Sequence, residues 1–381
     1  MTITIKSDNV TTGGTLGNVN GLKDQDYALL LDFQNGEYTK KVGGVITNLT
    51  EADVLTCTSN KTLATKPMTM DRLGNKLYVT KTDQTRWWQV KNAFGDFFGL
   101  LIENEQVNWF LNSATPITQT ISNIPAGSTM VASCIGSGSI TITGEGINPV
   151  TVTQDAPATI TPQALSTTTS LTVTVTGTLS HVQVVRCAGF AGVHSPITTT
   201  TSRPTSGFDK VEINQALIAT LLAGTQQLTI LIQSVPLQHT KDDRSQYNET
   251  RVVLETTALV AGLGLNKAAN TNIGSRIVST YKSDGSSQVS SGTVAISAQL
   301  NAPVTQVFSV GDFGFKGSVD GGNVYAVAGA TGLNNVTRIR LAEGVATPSV
   351  MQGGNCVITK FAVFKKQLSD QEIKEFSKSW L

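Results

Sequence analysis

TVTVTGTLSHVQVV, residues 172–185, alternates Val or Leu with Thr, Ser, His or Gln. Side chains along a strand point to opposite faces in turn, so a period of two marks a half-buried strand, whereas a helix repeats every 3.6 residues. The same alternation recurs in TVAISAQL (293–300) and VITKFAVF (357–364). Between such runs lie IPAGS (124–128), GSGS (136–139), KSDGSS (282–287) and VDGGN (319–323), rich in residues that accept the positive φ of hairpin turns. Many short strands at close spacing predict sandwiches or barrels. The expected fold is mainly β: tandem β-sandwich (jelly-roll) domains with an extended N-terminal attachment region and a short C-terminal helix.

Helical signals are few. Residues 208–223 place Val211, Ile213, Ala216, Leu217 and Leu221 at an approximate 3.6 spacing before Gly224. In the tail, LSDQEIKEFSKSWL, Ser369 precedes Glu372 by three positions, the capping-box spacing. Ile373, Phe376 and Trp380 then share one face, which predicts a helix docked on a sheet.

A chain of 381 residues is too long for one ordinary core. Residues 1–85 hold one strong strand, YALLLDF (27–33), and little other strand pattern, while SPITTTTSRPTSG (195–207) reads as a linker. The expected units are 1–85, 86–203 and 204–381. The opening MTITIKSDNVTTGGTLGNVNG is polar and Gly-rich, the composition of a segment that orders against a partner.

Charged residues make up 14% of the chain and the net charge is +1, with no basic track to follow phosphates, so nucleic acid is not an expected partner. Apolar runs such as Tyr27–Phe33 and Leu228–Ile232 reach strand length only, short of a membrane span, and no membrane insertion is expected. The first residues lack the charged start and apolar centre of a secretory signal, which predicts synthesis and assembly without export.

Cys57, Cys134, Cys187 and Cys356 are scattered and read as isolated buried thiols. His181, His194 and His239 are equally dispersed. No metal and no cofactor is expected. Asp284, Asp312 and Asp320 could offer loop oxygens to calcium, but each sits in ordinary turn chemistry.

No GxSxG elbow, HExxH helix or P-loop is present, so no enzymatic activity is expected. Glycoside hydrolysis needs two carboxylates facing one bond. The acidic candidates are Glu103 and Glu105, Asp242 and Asp243, and the SDQEIKE tail, all read as solvated surface.

Several motifs in one order carry a resemblance. LLLDFQNGEY (29–38) is followed by DRLGNKLYV (71–79) and FGLLIENEQVNWFLNS (98–113), then by ITQTISNIPAGSTMVASCIGSGSITITGEG (117–146) and SLTVTVTGTLSHVQVVRCAGFAGVHSPITTT (170–200). This train resembles a family of bacteriophage tail-fibre and virion structural proteins with a carbohydrate-binding-like jelly-roll module. Val107, Asn108 and Trp109 stand where that family usually has Thr, Asn and Leu, and Val185 and Arg186 where it has an acidic residue. FGFKGSVDGGNVYAV (313–327), VTRIRLAEG (336–344) and VITKFAVFKKQLSDQEIKEFSKSW (357–380) are similar to a concanavalin-like, laminin-G-type sandwich.

The resemblance implies a virion protein, a tail fibre or other external appendage. It would attach to other virion proteins through its N-terminus, form a homo-oligomer, commonly a trimer, and bind bacterial surface polysaccharide. The alternative is a purely structural head-decoration, head-fibre or tail component.

Within FGLLIENEQVNWFLNS, Leu100, Leu101, Ile102, Phe110 and Leu111 are expected to lead a strand into the middle sandwich, with the Trp109 ring buried. For glycan binding the candidates are Trp87, Trp88, Arg244 and Tyr247. Adjacent Trp87 and Trp88 must face opposite sides of a strand, which leaves one for a ligand or an interface, or makes the pair a clamp between domains. Arg244 and Tyr247, with Asp243, lie in QHTKDDRSQYNE, a polar stretch whose competing reading is a plain mobile loop.

Overall fold

The computed structural model describes residues 26–378 except 59–62, 64–66, 104–105, 126–127, 145, 163–167, 187–194, 205–208, 239–245, 257–258, 269–272, 283–287, 299–301, 312–313, 328–334, 343–350 and 354. The chain is mainly β, and two large sheets pack face to face. In the first, Asn355–Phe364 is central: it pairs antiparallel with Leu228–Gln238 on one side and with Tyr27–Asp32 on the other. Glu37–Val42 and Val45–Leu49 extend the sheet to one edge, and Val304–Gly311, Gly314–Val319 and Tyr325–Val327 to the other. The second sheet runs from Gln288–Ala298 through Gln246–Glu255 and Arg338–Leu341 to Val211–Ile213 and Leu55–Cys57.

Strand pairing does not follow the expected boundary at residue 85. Leu31 stands opposite Phe361, and Cys57 opposite Val211, so residues 27–57 supply strands to both sheets of the C-terminal sandwich. One apolar cluster joins Leu29 and Phe33 to Ile230, Leu254, Ile339 and Phe361. The physical reason lies in YALLLDF itself: every residue from Tyr27 to Phe33 is buried, and a strand apolar on both faces needs cover on both. The sandwich core covers one face, and the helix Asp370–Lys378 covers the other with Ile373 and Phe376.

That helix begins as expected, with Ser369 N–H and Oγ–H donating to Glu372 Oε2 at 2.7 and 2.8 Å and Glu372 N–H donating back to Ser369 Oγ at 3.2 Å. The other expected helix is shorter, Gln215–Leu222, capped by the Asn214 side chain. Val211 and Ile213 instead form a strand, which the second sheet holds between Arg338–Leu341 and Leu55–Cys57.

The strand Gly95–Ile102 corrects a second expectation. It pairs through Leu100, Leu101 and Ile102 with Ile358, Val357 and Cys356, and therefore belongs to the large sandwich. Only with Phe110, fully buried, does the chain enter the middle core. Trp109 is half-buried, with the Arg203 guanidinium 4.7 Å from its ring centre.

The middle module is one five-stranded sheet built on Met130–Gly144 and Thr168–Arg186. A flat strand of 15 residues would extend about 50 Å, too long for a compact module of this size. GSGS (136–139), expected as a turn, lies mid-strand and bends it. The register slips at Ile135/Gly136, Gly136 and Gly177 have φ of +128° and +77°, and Gly138 faces Gly177 across the pair. A single apolar cluster then serves both halves, from Met130 and Cys134 to Ile140 and Ile142.

The expected linker is laid along this module. Asn108, fully buried, donates to Val182 O and Ile197 O at 3.1 and 2.9 Å and accepts from Phe110 N and Val184 N at 3.1 and 2.9 Å. Thr199 N donates to Ser113 Oγ at 2.8 Å. Cys57, Cys134 and Cys356 are buried free thiols, as expected; Cys187 lies outside the described residues.

Candidate functional site

Trp87 and Trp88 occupy one strand, Trp87–Asn92, and turn to opposite faces of the first sheet. Trp87 packs on the inner core, stacked on Phe98 at 5.9 Å and tilted against Phe33 at 6.0 Å. Trp88 enters an outer cluster with Met68, Met70, Leu101 and Val357 and is only 2% exposed. The pair brackets the sheet between its core and the hairpin Met68–Met70/Lys76–Tyr78. Neither ring is an open platform. Tyr247 lies on the second sheet, its backbone opposite Lys267, and its side chain is outside the described atoms, as is all of Arg244.

Tyr325, 39% exposed, is an aromatic ring set in a concavity. Its strand follows a turn in which Asp320 and Gly321 have φ of +47° and +73°. Thr305 N donates to Asp320 Oδ1 at 2.7 Å and Gly321 N donates to Ser377 Oγ at 3.0 Å, which fixes the turn to both the sheet and the terminal helix. Phe376 stacks on Phe364 at 5.6 Å and seats that helix. Between strand and helix opens a hollow of about 610 Å³ lined by Asn323, Val324, Tyr325, Asp370, Gln371 and Lys374.

Charge in this hollow is uneven. Asp370 is paired with Lys316 at 2.6 Å, and Gln371 Nε2 donates to Glu375 Oε1 at 2.8 Å. Lys374 has no ion-pair partner among the described residues. A flat ring beside amide, carboxylate and ammonium groups offers one apolar contact and several directional hydrogen bonds, the usual make-up of a polar-ligand site.

A narrower cleft, about 170 Å³, lies between the large sandwich and the middle module, with Trp88 and Met68 on one side and Cys134, His181 and Gln183 on the other. Beside it the chain enters and leaves the middle module through a buried charge network. Arg86 Nη2 donates to Glu103 Oε2 at 2.7 Å, and Arg86 Nη1 to Ser195 Oγ at 3.0 Å and Met68 O at 3.2 Å. Its Nε donates to Asp209 Oδ1 at 3.1 Å. Glu103 accepts further from Ser195 N and Oγ at 2.7 and 2.5 Å. Burial by itself would depress the Arg86 guanidinium, but Asp209 and Glu103 outweigh it and hold the group above its ordinary range.

Glu103, expected as solvated surface, is 2% exposed. A carboxylate held by Arg86 and by the Ser195 N–H and hydroxyl is a clamp between remote segments. Glu105, Asp242, Asp243, Asp284 and Asp312 lie outside the described residues. Among the described residues no group of three His, Cys, Asp or Glu side chains could hold a metal ion, and no helix is long and apolar enough to cross a membrane.

No family model matches the chain, and no curated protein is similar to it. Among solved structures, the CBM40 of the Ruminococcus gnavus IT-sialidase, bound to α2,3-sialyllactose, is similar over 42% of this chain and 87% of its own, at 12% identity and a TM-score of 0.31. The NanB sialidase of Streptococcus pneumoniae is similar over 42% and 25%, at 16% identity and 0.30. A SAP-like pentraxin from Limulus polyphemus is similar over 40% and 70%, at 9% identity and 0.30. Likeness of this degree assigns neither ligand nor role.

Proposed function

We propose that this chain is a non-enzymatic bacteriophage virion protein, a tail-fibre or appendage subunit that binds host cell-surface glycan through its β-sandwich. The observation that carries the binding reading is the Tyr325 ring, exposed in an open hollow and flanked by Asn323, Gln371 and Lys374. A shallow, open surface suits an internal unit of a long polysaccharide, which an enclosed pocket would exclude. The virion setting rests on the ordered motifs from LLLDFQNGEY to the C-terminal helix. Attachment to other virion proteins would fall to the polar N-terminal segment, and several copies, as in a trimer, would raise weak single-site binding through effective concentration.

A second reading, a structural head or tail component, is favoured by one feature. Val45–Leu49 ends the first sheet, and Val42, Val45 and Ile46 around its hairpin are 57, 66 and 46% exposed. An apolar edge strand is suited to subunit contact. The deciding experiment adds fluorescently labelled, folded protein to host cells and to the same cells stripped of surface polysaccharide. Saturable binding that stripping abolishes supports receptor binding. Equal or absent binding, with a stable oligomer by sedimentation, turns the assignment to the structural reading.

A further inference from the structure

We infer that the cleft between the two modules is a second ligand site, shaped for one compact uncharged ring that carries hydroxyl donors, such as a single hexose residue. The chemical class rests on the glycan reading, whereas the site is independent of the Tyr325 hollow. At about 170 Å³ the cleft lies below the ~300–1,000 Å³ of pockets for drug-sized ligands, and so has room for one ring and not for a chain. Its floor is largely apolar, with Met68 and Trp88 from the sandwich and Cys134 and Ile135 from the bend in the middle module. Its rim is polar: Lys76 and Asp155, both solvent-exposed, bring opposite charges from the two modules and give no preference for a charged ligand.

His181 defines what the ligand must present. It stands opposite Ile135, where the strand bends, and forms part of the cleft wall while 94% buried. Gln183 lies on the same cleft wall, and its Oε1 accepts from Ile197 N at 2.7 Å. The imidazole Nε2 is buried with no hydrogen-bond partner among the described residues. Nε2 is thus an unsatisfied polar atom of a cleft-wall residue, and a hydroxyl of a seated ligand, which both donates and accepts, satisfies it in either tautomer. Because Nε2 is closed to bulk solvent, contact requires the walls to part slightly, and the ligand then touches both modules at once.

The test uses the full chain labelled with ¹⁵N and follows its three histidine imidazoles by NMR. Galactose, glucose, N-acetylglucosamine and rhamnose are titrated separately, with glycerol as the control polyol. One sugar is expected to shift the His181 Nε2 resonance saturably, and the shift should persist in Tyr325→Ala. His181→Phe keeps the ring volume and should weaken that sugar at least about tenfold. If this variant does not fold, His194→Gln and His239→Gln assign the signal by elimination and the wild-type titration decides. A response no different from glycerol in every titration overturns the proposal and leaves Nε2 to an ordered water. Cell binding without a His181 shift sinks this site alone. A His181 shift without cell binding sinks the glycan-appendage reading and leaves the site standing.

Discussion

Arg86 and Asp209 stand 123 positions apart in the chain and meet in a buried two-point ion pair, Nε to Oδ1 at 3.1 Å and Nη2 to Oδ2. Arg86 precedes the strand pair that leads into the middle module, and Asp209 follows the segment that leaves it. Asp209 also accepts from Glu103 N at 2.8 Å, so entry and exit are tied at one point. Asp209→Ala would leave a guanidinium that is 2% exposed paired with Glu103 alone and take the acceptor from Glu103 N–H, a loss of about 1–3 kcal/mol in urea unfolding. Limited proteolysis of the variant should release a fragment containing residues 110–186. An unchanged midpoint and an intact digest would show that the clamp is dispensable.

Tyr325→Ala should leave stability within about 0.5 kcal/mol, since the residue is partly exposed at an edge. Binding to host polysaccharide should fall at least about tenfold, and Tyr325→Phe should retain most of it, because the ring face makes the contact. Equal losses in both variants would mean that the hydroxyl, not the ring, binds.

Much of the β architecture is legible in sequence because alternation is a local property. The strands 168–186, 288–298 and 355–364 and the Ser369 cap all sit where periodicity and spacing put them. What escapes is set by partners remote in the chain. YALLLDF shows that both faces are buried but not that Phe361 and Ala362 lie beside it. Glu103 is charged and followed by Asn104 and Glu105, and the remote Arg86, Ser195 and Asp209 turn it inward. Tyr325 is one aromatic residue in a turn-rich stretch, and its hollow exists because a helix near the end of the chain packs beside it. Trp87 and Trp88 show the converse: adjacency predicts opposite faces, but both faces of their sheet are covered.

Acid should destabilise the fold through His181. Burial holds its pKa at about 4, against about 6.5 for an unfolded histidine, with the Gln183 hydrogen bond acting weakly the other way. As pH falls below 6.5 the unfolded chain takes up a proton that the folded chain refuses, so the full stability above that value is lost progressively down to pH 4. The loss is on the order of 3 kcal/mol. Asp320 opposes it over part of the window, since burial pushes its carboxyl up to about 6 and stability returns as that group protonates. Asp320 faces solvent in its turn, however, and screening leaves it the smaller effect. Urea midpoints from pH 7 to 4 should therefore fall in the wild type and flatten in His181→Phe. Parallel curves would remove His181 from the account.

The bend at 136–139 makes the last prediction. Gly138 stands opposite Gly177, and a Cβ added there would lie 2.3 Å from Thr176 O and 3.1 Å from Leu179 Cδ2. The nearer neighbour is backbone, held in the 130–144/168–186 ladder, and cannot rotate away as a side chain could. Gly138→Ala must therefore push the two strands apart or straighten the bend, at a cost of about 1–3 kcal/mol. Ser137→Ala, one residue earlier and exposed, should cost less than about 0.5 kcal/mol and controls for strand propensity. Straightening would also pull Ile135 and His181 away from the cleft wall, so the Gly138 variant should lose protection of the His181 imidazole as well as stability. Equal unfolding midpoints for the two variants would show that the glycines tolerate a side chain and that the bend is set elsewhere.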